Sequence, residues 1–321
     1  MKKTITLAIL LAVFLLCVPV GAAAGDEPSA ESLYLTGRRY VEKKKFEKAV
    51  DCFRKAIQKK PDSVKYHWSL GETCRAKGAY PEALAAFERV LKLDPGDTDA
   101  IRRLGDVHVI MGNTEKAVSC YEAFVGTTKN EAESLYIQGK IHDLRGNPDK
   151  AVESWRKSLS LRAADFDTLV ALAEKLIRKG NDQEAVLLLL RAKKIRPYDE
   201  NVLVDLGMLY TKAGAYDKAH EVLTTALRIS LYNPKTRFYL GKACYGRGDL
   251  KRAIDHMEKA VQMDPTDPEK HFTLGLYYDK KGWQDLAVSE YEEALYLDPQ
   301  YLYNRLRSKE RAAEGPVEPE H

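Results

Sequence analysis

Few residues in this chain could build a disulfide-held or catalytic domain. Five cysteines, three tryptophans and five methionines occur in 321 residues. There is no CxxC, HExxH or GxSxG sequence and no phosphate-cradling glycine loop, so the usual signatures of metal, hydrolase and nucleotide chemistry are missing. Charge of one sign is also scarce. The net charge is +4, and loss of Lys2 and Lys3 lowers it to +2. A near-neutral balance with acids and bases interspersed argues against nucleic acid as partner. Long apolar runs are limited to Ile5–Val20; Val186–Leu190 is too short to span a bilayer.

What the chain does have is a frame. Alanine recurs every 34 residues, at Ala49, Ala83, Ala117, Ala151, Ala185, Ala219, Ala253 and Ala287. Twelve positions before each stands a small residue: Gly37, Gly71, Gly105, Gly139, Ala173, Gly207, Gly241 or Gly275. Each unit is numbered here from place 1, the first starting at Ala30, so that the small residue is place 8 and the alanine place 20. Large or apolar residues at places 4, 7 and 11 and at place 24 have helical spacing and predict two amphipathic helices per unit. Place 15 is glycine in seven of the eight units and reads as the stop of the first helix. Proline closes five units, at Pro61, Pro95, Pro197, Pro265 and Pro299. The small residues at places 8 and 20 are expected where the two antiparallel helices cross closely. An unbroken repeat of helix–turn–helix units predicts a single elongated helical array that binds partners and performs no chemistry.

The pattern Leu203, Leu206, Gly207, Tyr210, Ala219, Leu223, Ala226 resembles the tetratricopeptide repeat family, and the resemblance runs from Ala30 to about Tyr301. It implies an all-α, right-handed superhelical solenoid of eight units spanning 30–301, with a short linker at 25–29. The third, fourth and sixth units depart from it with Lys129, Ala163 and Leu231 where proline is usual. The resemblance also implies that places 2, 5, 9, 12 and 13 line a concave surface. On that basis the candidate partner-binding residues are Tyr34, Arg38, Trp68, Glu72, Arg102, Asp106, Tyr136, Lys140, Phe238, Lys242 and Phe272. Aromatics at five of the eight place-5 positions suit an extended or helical peptide. The competing reading is that place 5 packs partly against neighbouring helices. Members that grip a C-terminal carboxylate use lysine and asparagine at places 5 and 9. Here those places hold tryptophan and glutamate, or arginine and aspartate, which disfavours that partner.

The flanks have a different character. Lys2 and Lys3, the apolar run and the small residues Ala22 and Ala24 read as a cleaved secretory signal over 1–24, with an uncleaved anchor as the alternative. Residues 302–313 are expected to form a capping helix over the last unit and 314–321 a disordered tail. The basic stretch from Lys43 to Lys60 reads as a solvated helix face. Cys52 and Cys74 lie on neighbouring helices, where a disulfide and two buried free thiols are both compatible with the sequence. His108 and His142 share place 11 of adjacent units without a third ligand, so no metal is expected. No cofactor is expected either. These readings together predict a non-enzymatic protein–protein scaffold of a bacterial cell envelope, periplasmic or secreted, or else anchored to the inner membrane facing the periplasm. Its partner would be a protein or peptide of an envelope assembly. The alternative is a glycan-binding component of polysaccharide export. Membrane contact is expected only through an uncleaved N-terminus.

Overall fold

A computed structural model describes residues 27–301 and 303. The expected signal segment, most of the capping segment and the tail fall outside these residues. Among the described residues there are sixteen long α-helices and no strands. They form eight consecutive pairs: α1 (Ala30–Glu42) with α2 (Phe46–Lys59), α3 (Val64–Lys77) with α4 (Tyr80–Leu93), α5 (Thr98–Ile110) with α6 (Thr114–Thr127), and α7 (Glu131–Leu144) with α8 (Pro148–Leu161). Then come α9 (Phe166–Arg178) with α10 (Asp182–Ile195), α11 (Glu200–Lys212) with α12 (Tyr216–Ile229), α13 (Pro234–Gly246) with α14 (Leu250–Met263), and α15 (Pro268–Lys281) with α16 (Gln284–Leu297). Helical backbone resumes over 299–301.

Local chemistry explains the boundaries. At place 34, just before the first helix, the side chains of Asp97, Asp165, Asp199 and Asn233 accept hydrogen bonds from backbone N–H groups of the opening turn. Those N–H groups have no partner inside the helix, so such a cap stabilises it by about 1 kcal/mol. At place 15 the seven glycines have φ between 71° and 85°, the left-handed conformation that turns the chain into the second helix.

The close approach within a pair has a different origin from the one expected. The place-20 alanines are all at most 1% exposed, in agreement with a tight crossing. The place-8 glycines, however, chiefly make room for the large residue at place 24. A Cβ on Gly37 would lie 2.6 Å from the Phe53 ring, on Gly105 2.4 Å from Tyr121, and on Gly139 2.3 Å from Trp155 Nε1. The large side chain at place 24 lies against the first helix at the small residue. Removing the side chain there is what permits that contact.

The contacts divide the chain into two compact units, one ending at Lys129 and the other beginning at Asn130. The N-terminal unit holds α1 to α6, each helix packed on the next in sequence, with α1 also touching α3. Val50, Cys74, Ala83, Phe87, Leu104 and Val107 lie at its core. The C-terminal unit holds α7 to α16. One buried cluster there joins Trp155, Leu172, Leu189, Leu206 and Leu223, and another joins Phe238, Met257, Leu274 and Tyr278.

Candidate functional site

In the N-terminal unit the first helices α1, α3 and α5 present the candidate residues. Tyr34 of α1 rests on Phe53 (centroids 5.8 Å apart) and on Tyr66 (5.1 Å), and the Lys65 ammonium stands 5.0 Å above its ring. Lys65 also donates to Glu31 at 2.6 Å, and the Tyr66 hydroxyl donates to the same carboxylate at 3.0 Å. These two donors hold the Glu31 carboxyl below the ordinary carboxylate range. Trp68 packs edge-on against Phe87 at 5.3 Å and stays half-buried. Arg38 is exposed.

At place 9 of α3 and α5, Glu72 and Asp106 join a charge network. Glu72 accepts from Arg75 at 2.9 Å and pairs with Arg103 at 3.2 Å. The hydrogen bond to Glu72 raises the Arg75 pKa further above its already high value. Asp106 accepts from the Tyr121 hydroxyl at 2.7 Å and pairs with Arg103 at 3.4 Å, while Arg102 pairs with Asp99 at 3.3 Å. Glu72 and Asp106 are therefore committed within the chain. A partner would meet a preset pattern of charge in which neither carboxylate is free.

In the C-terminal unit the five candidates separate. Phe238 and Phe272 are only 5% and 4% exposed, a correction to their expected place on a binding surface. Phe238 packs against Tyr239 at 5.1 Å, and Phe272 against Tyr291 at 5.6 Å. Phe238 belongs to a core cluster, and Phe272 is flanked by Tyr291 and, at 6.1 Å, by Tyr301. Tyr136 packs at the edge of the larger core cluster, its backbone carbonyl accepts from Trp155 Nε1 at 3.0 Å, and Lys140 stands 5.8 Å above its ring. Lys242 lies 4.6 Å above the Phe238 ring and reaches Glu269 at 3.1 Å.

Other residues on the first helices carry what place 5 does not. Tyr245, at place 12, is 40% exposed and stacks on Tyr277 with centroids 4.6 Å apart and planes 14° apart. Its row was indicated by the resemblance, but attention to places 5 and 9 alone passes it over. Lys235 pairs with Asp205 at 2.8 Å, and Lys175, 8% exposed, pairs with Asp143. Charge pairs thus link successive first helices.

Among the described residues no group of three or more His, Cys, Asp or Glu could hold a metal ion. His108 and His142 fall in different compact units. All four described cysteines are free. Cys74 is buried, with its thiol 3.6 Å from Glu82 Oε2, and burial pushes its pKa up to about 11. A thiol so protonated is a poor nucleophile. An open depression of about 590 Å³ beside α8 is lined by Asp149, Glu153, Arg156, Lys157 and Lys179, whose charges are already matched in ion pairs. No described helix is long and apolar enough to cross a membrane.

Three models described as tetratricopeptide repeat match the sequence, the first over residues 34–98 and 204–268, the others over 75–141 and 271–301. No catalytic family is among them. No curated protein matches in sequence. Among solved structures, the APC/C hetero-tetramer Cut9–Hcn1 aligns with a TM-score of 0.65 at 16% identity, over 86% of this chain and 54% of that one, a likeness of fold alone. MamA from Desulfovibrio magneticus RS-1 aligns at 0.49 with 23% identity, over 53% of this chain and 97% of that one. Another MamA crystal structure aligns at 0.46 with 21% identity, over 51% and 96%. The helix pairs, the place-8 and place-24 packing and these models agree: the chain belongs to the tetratricopeptide repeat family.

Proposed function

We propose that this chain is a non-enzymatic scaffold of a bacterial cell envelope that binds a protein or peptide through the exposed first-helix residues of its repeats. The tetratricopeptide fold generally mediates protein–protein interaction, and its side chains are positioned before any partner arrives. One observation carries the reading. In the N-terminal unit Tyr34 and Trp68 are fixed by Phe53 and Phe87 while both remain partly exposed. Aromatic groups already ordered lose little freedom on binding, so more of the contact energy appears as affinity. Arg38 and the matched charges around Glu72 supply polar selection beside them. The envelope setting rests on the signal-like character of residues 1–24.

The test is capture from a crosslinked envelope fraction, comparing the wild type with Arg38→Glu/Trp68→Ala after both show the same thermal melt. A protein recovered with the wild type and lost from the variant supports the reading. Equal recovery by both moves the site off these residues. The Tyr245–Tyr277 stack favours a second reading, glycan recognition in polysaccharide export, because sugar rings pack on flat aromatic faces. Titration of oligosaccharides against wild type and Tyr245→Ala separates it, since only a glycan site loses saturation in that variant.

A further inference from the structure

Stacking within each compact unit follows fixed places, and the two ends of the repeat series continue them. Place 3 is buried in Tyr66, Ala100, Val202 and Thr236, and place 10 in Thr73, Val107, Leu209 and Ala243, because a preceding pair packs on them. In α1 those places hold Ser32 and Arg39, both exposed, with Leu35 between them 47% exposed. Place 21 is buried in Val50, Val152 and Ile254 because a following pair packs on it. In α16 the same place is Val288, 51% exposed, with Leu295 at 46%.

Charge follows the same logic. Among the place pairs that join one repeat to the next inside a unit, three bear on the ends of the series. Place 14 reaches back to place 18, as in Arg247–Asp217 at 2.8 Å and Lys77–Glu47 at 3.9 Å. Place 10 reaches back to place 12 in Lys175–Asp143. Place 25 reaches forward to place 19 in Arg54–Glu82 at 2.7 Å and Arg156–Glu184 at 2.9 Å. On the first repeat, places 10, 14 and 19 are Arg39, Lys43 and Lys48, all exposed. On the last, places 12, 18 and 25 are Asp279, Asp285 and Glu292, also all exposed. Each of these three pairs, formed by setting the first repeat after the last, is of opposite sign, while the place-2 pair seen in Lys65–Glu31 would bring Glu31 towards Glu269. The imbalance extends to whole repeats: residues 30–63 carry ten Lys or Arg against five Asp or Glu, and residues 268–301 carry seven Asp or Glu against three Lys.

We propose that a second copy of this chain docks head to tail, its α1 seating on α16 as the next repeat would. Leu35 then covers Val288 and Leu295, and Arg39, Lys43 and Lys48 meet Asp279, Asp285 and Glu292. The contact is heterologous: each copy uses different surfaces at its two ends, so association adds copies in series and grows with concentration. Exposed pairs of this kind are screened by salt.

Sedimentation velocity of the full chain, over a range of concentrations and at low and high salt, tests this. The expected result is a mass that rises with concentration at low salt and falls back at high salt. The triple variant Arg39→Glu/Lys43→Glu/Lys48→Glu is expected to weaken association at least about tenfold, and so is Asp279→Lys/Asp285→Lys/Glu292→Lys. Mixing the two variants restores it, because each then offers an end complementary to the other. Circular dichroism on each variant keeps misfolding apart from lost contact. A wild type that is monomeric at every concentration overturns the proposal, as when residues 304–321 of the same chain occupy the α16 face. Association that ignores both reversals, or folded variants that fail to pair when mixed, also overturns it.

Discussion

Lys44 stands at place 15 of the first repeat, where the other seven repeats have glycine. Its φ is 54°, a left-handed conformation in which a side chain crowds the backbone. Lys44→Gly is expected to raise stability by about 0.5–1 kcal/mol, the relief of strain exceeding the added freedom of the unfolded chain. The urea midpoint should rise with an unchanged slope; a lower midpoint would mean that Lys44 makes contacts worth more than its strain. At place 8 the expectation is opposite. Gly139→Ala sets a Cβ against Trp155 Nε1, which already donates to the Tyr136 carbonyl, and costs roughly 1–3 kcal/mol. Ala151→Leu, at a fully buried crossing, is expected to cost as much. Both are read from thermal melts, and an unmoved Tm in either removes that contact from the account of the pair.

At the scale of elements, α12, α13 and α14 contain a feature sensitive to pH. Burial first, and the Arg237 guanidinium second, hold the His256 imidazole down to about 4. Arg237 of α13 lies 3.3 Å from His256 Nδ1 on α14, and Asp255, Lys259 and His220 of α12 also bear on it. A free histidine titrates near 6.5. Between about 4 and 6.5 the unfolded chain therefore binds more protons than the folded one. Stability due to the neutral ring is complete above 6.5 and is lost as pH falls through that window. His256→Gln keeps an acceptor for Arg237 and is expected to lose less stability between pH 6.5 and 4 than the parent. Equal slopes in denaturant midpoint against pH would exclude His256 as the cause.

For the whole molecule, the constant frame makes each repeat a replaceable part. Deleting residues 200–233 inside the C-terminal unit brings Asp199 to the place before Pro234 that Asn233 held, with the same role of capping the first helix. The shortened chain is expected to keep its helical signal per residue. Its denaturant slope should fall with the surface lost. A disordered product would show that α11 and α12 are required as particular helices, beyond their role as one repeat.

The 34-residue spacing alone determined the number of helix pairs and the tight crossing at place 20, while the helices run two or three residues further at each end than the apolar places mark. It could do so because each repeat meets the same neighbours, so one packing solution is written eight times. The capping residues Asp97, Asp165 and Asp199 were not singled out in the sequence, although their chemistry is local. Burial at place 5 was decided by tertiary structure. Phe238 and Trp68 share that place, yet one is sealed in the core and the other is half open, since the residues of adjacent helices determine how much of each ring remains exposed. The same applies to Glu72 and Asp106, whose acidity was visible but whose engagement by Arg75, Arg103 and Tyr121 depends on side chains from other turns and helices. Periodicity reports what every repeat has in common. A surface is made of the differences between repeats, and only the packed neighbours decide which of those differences face water.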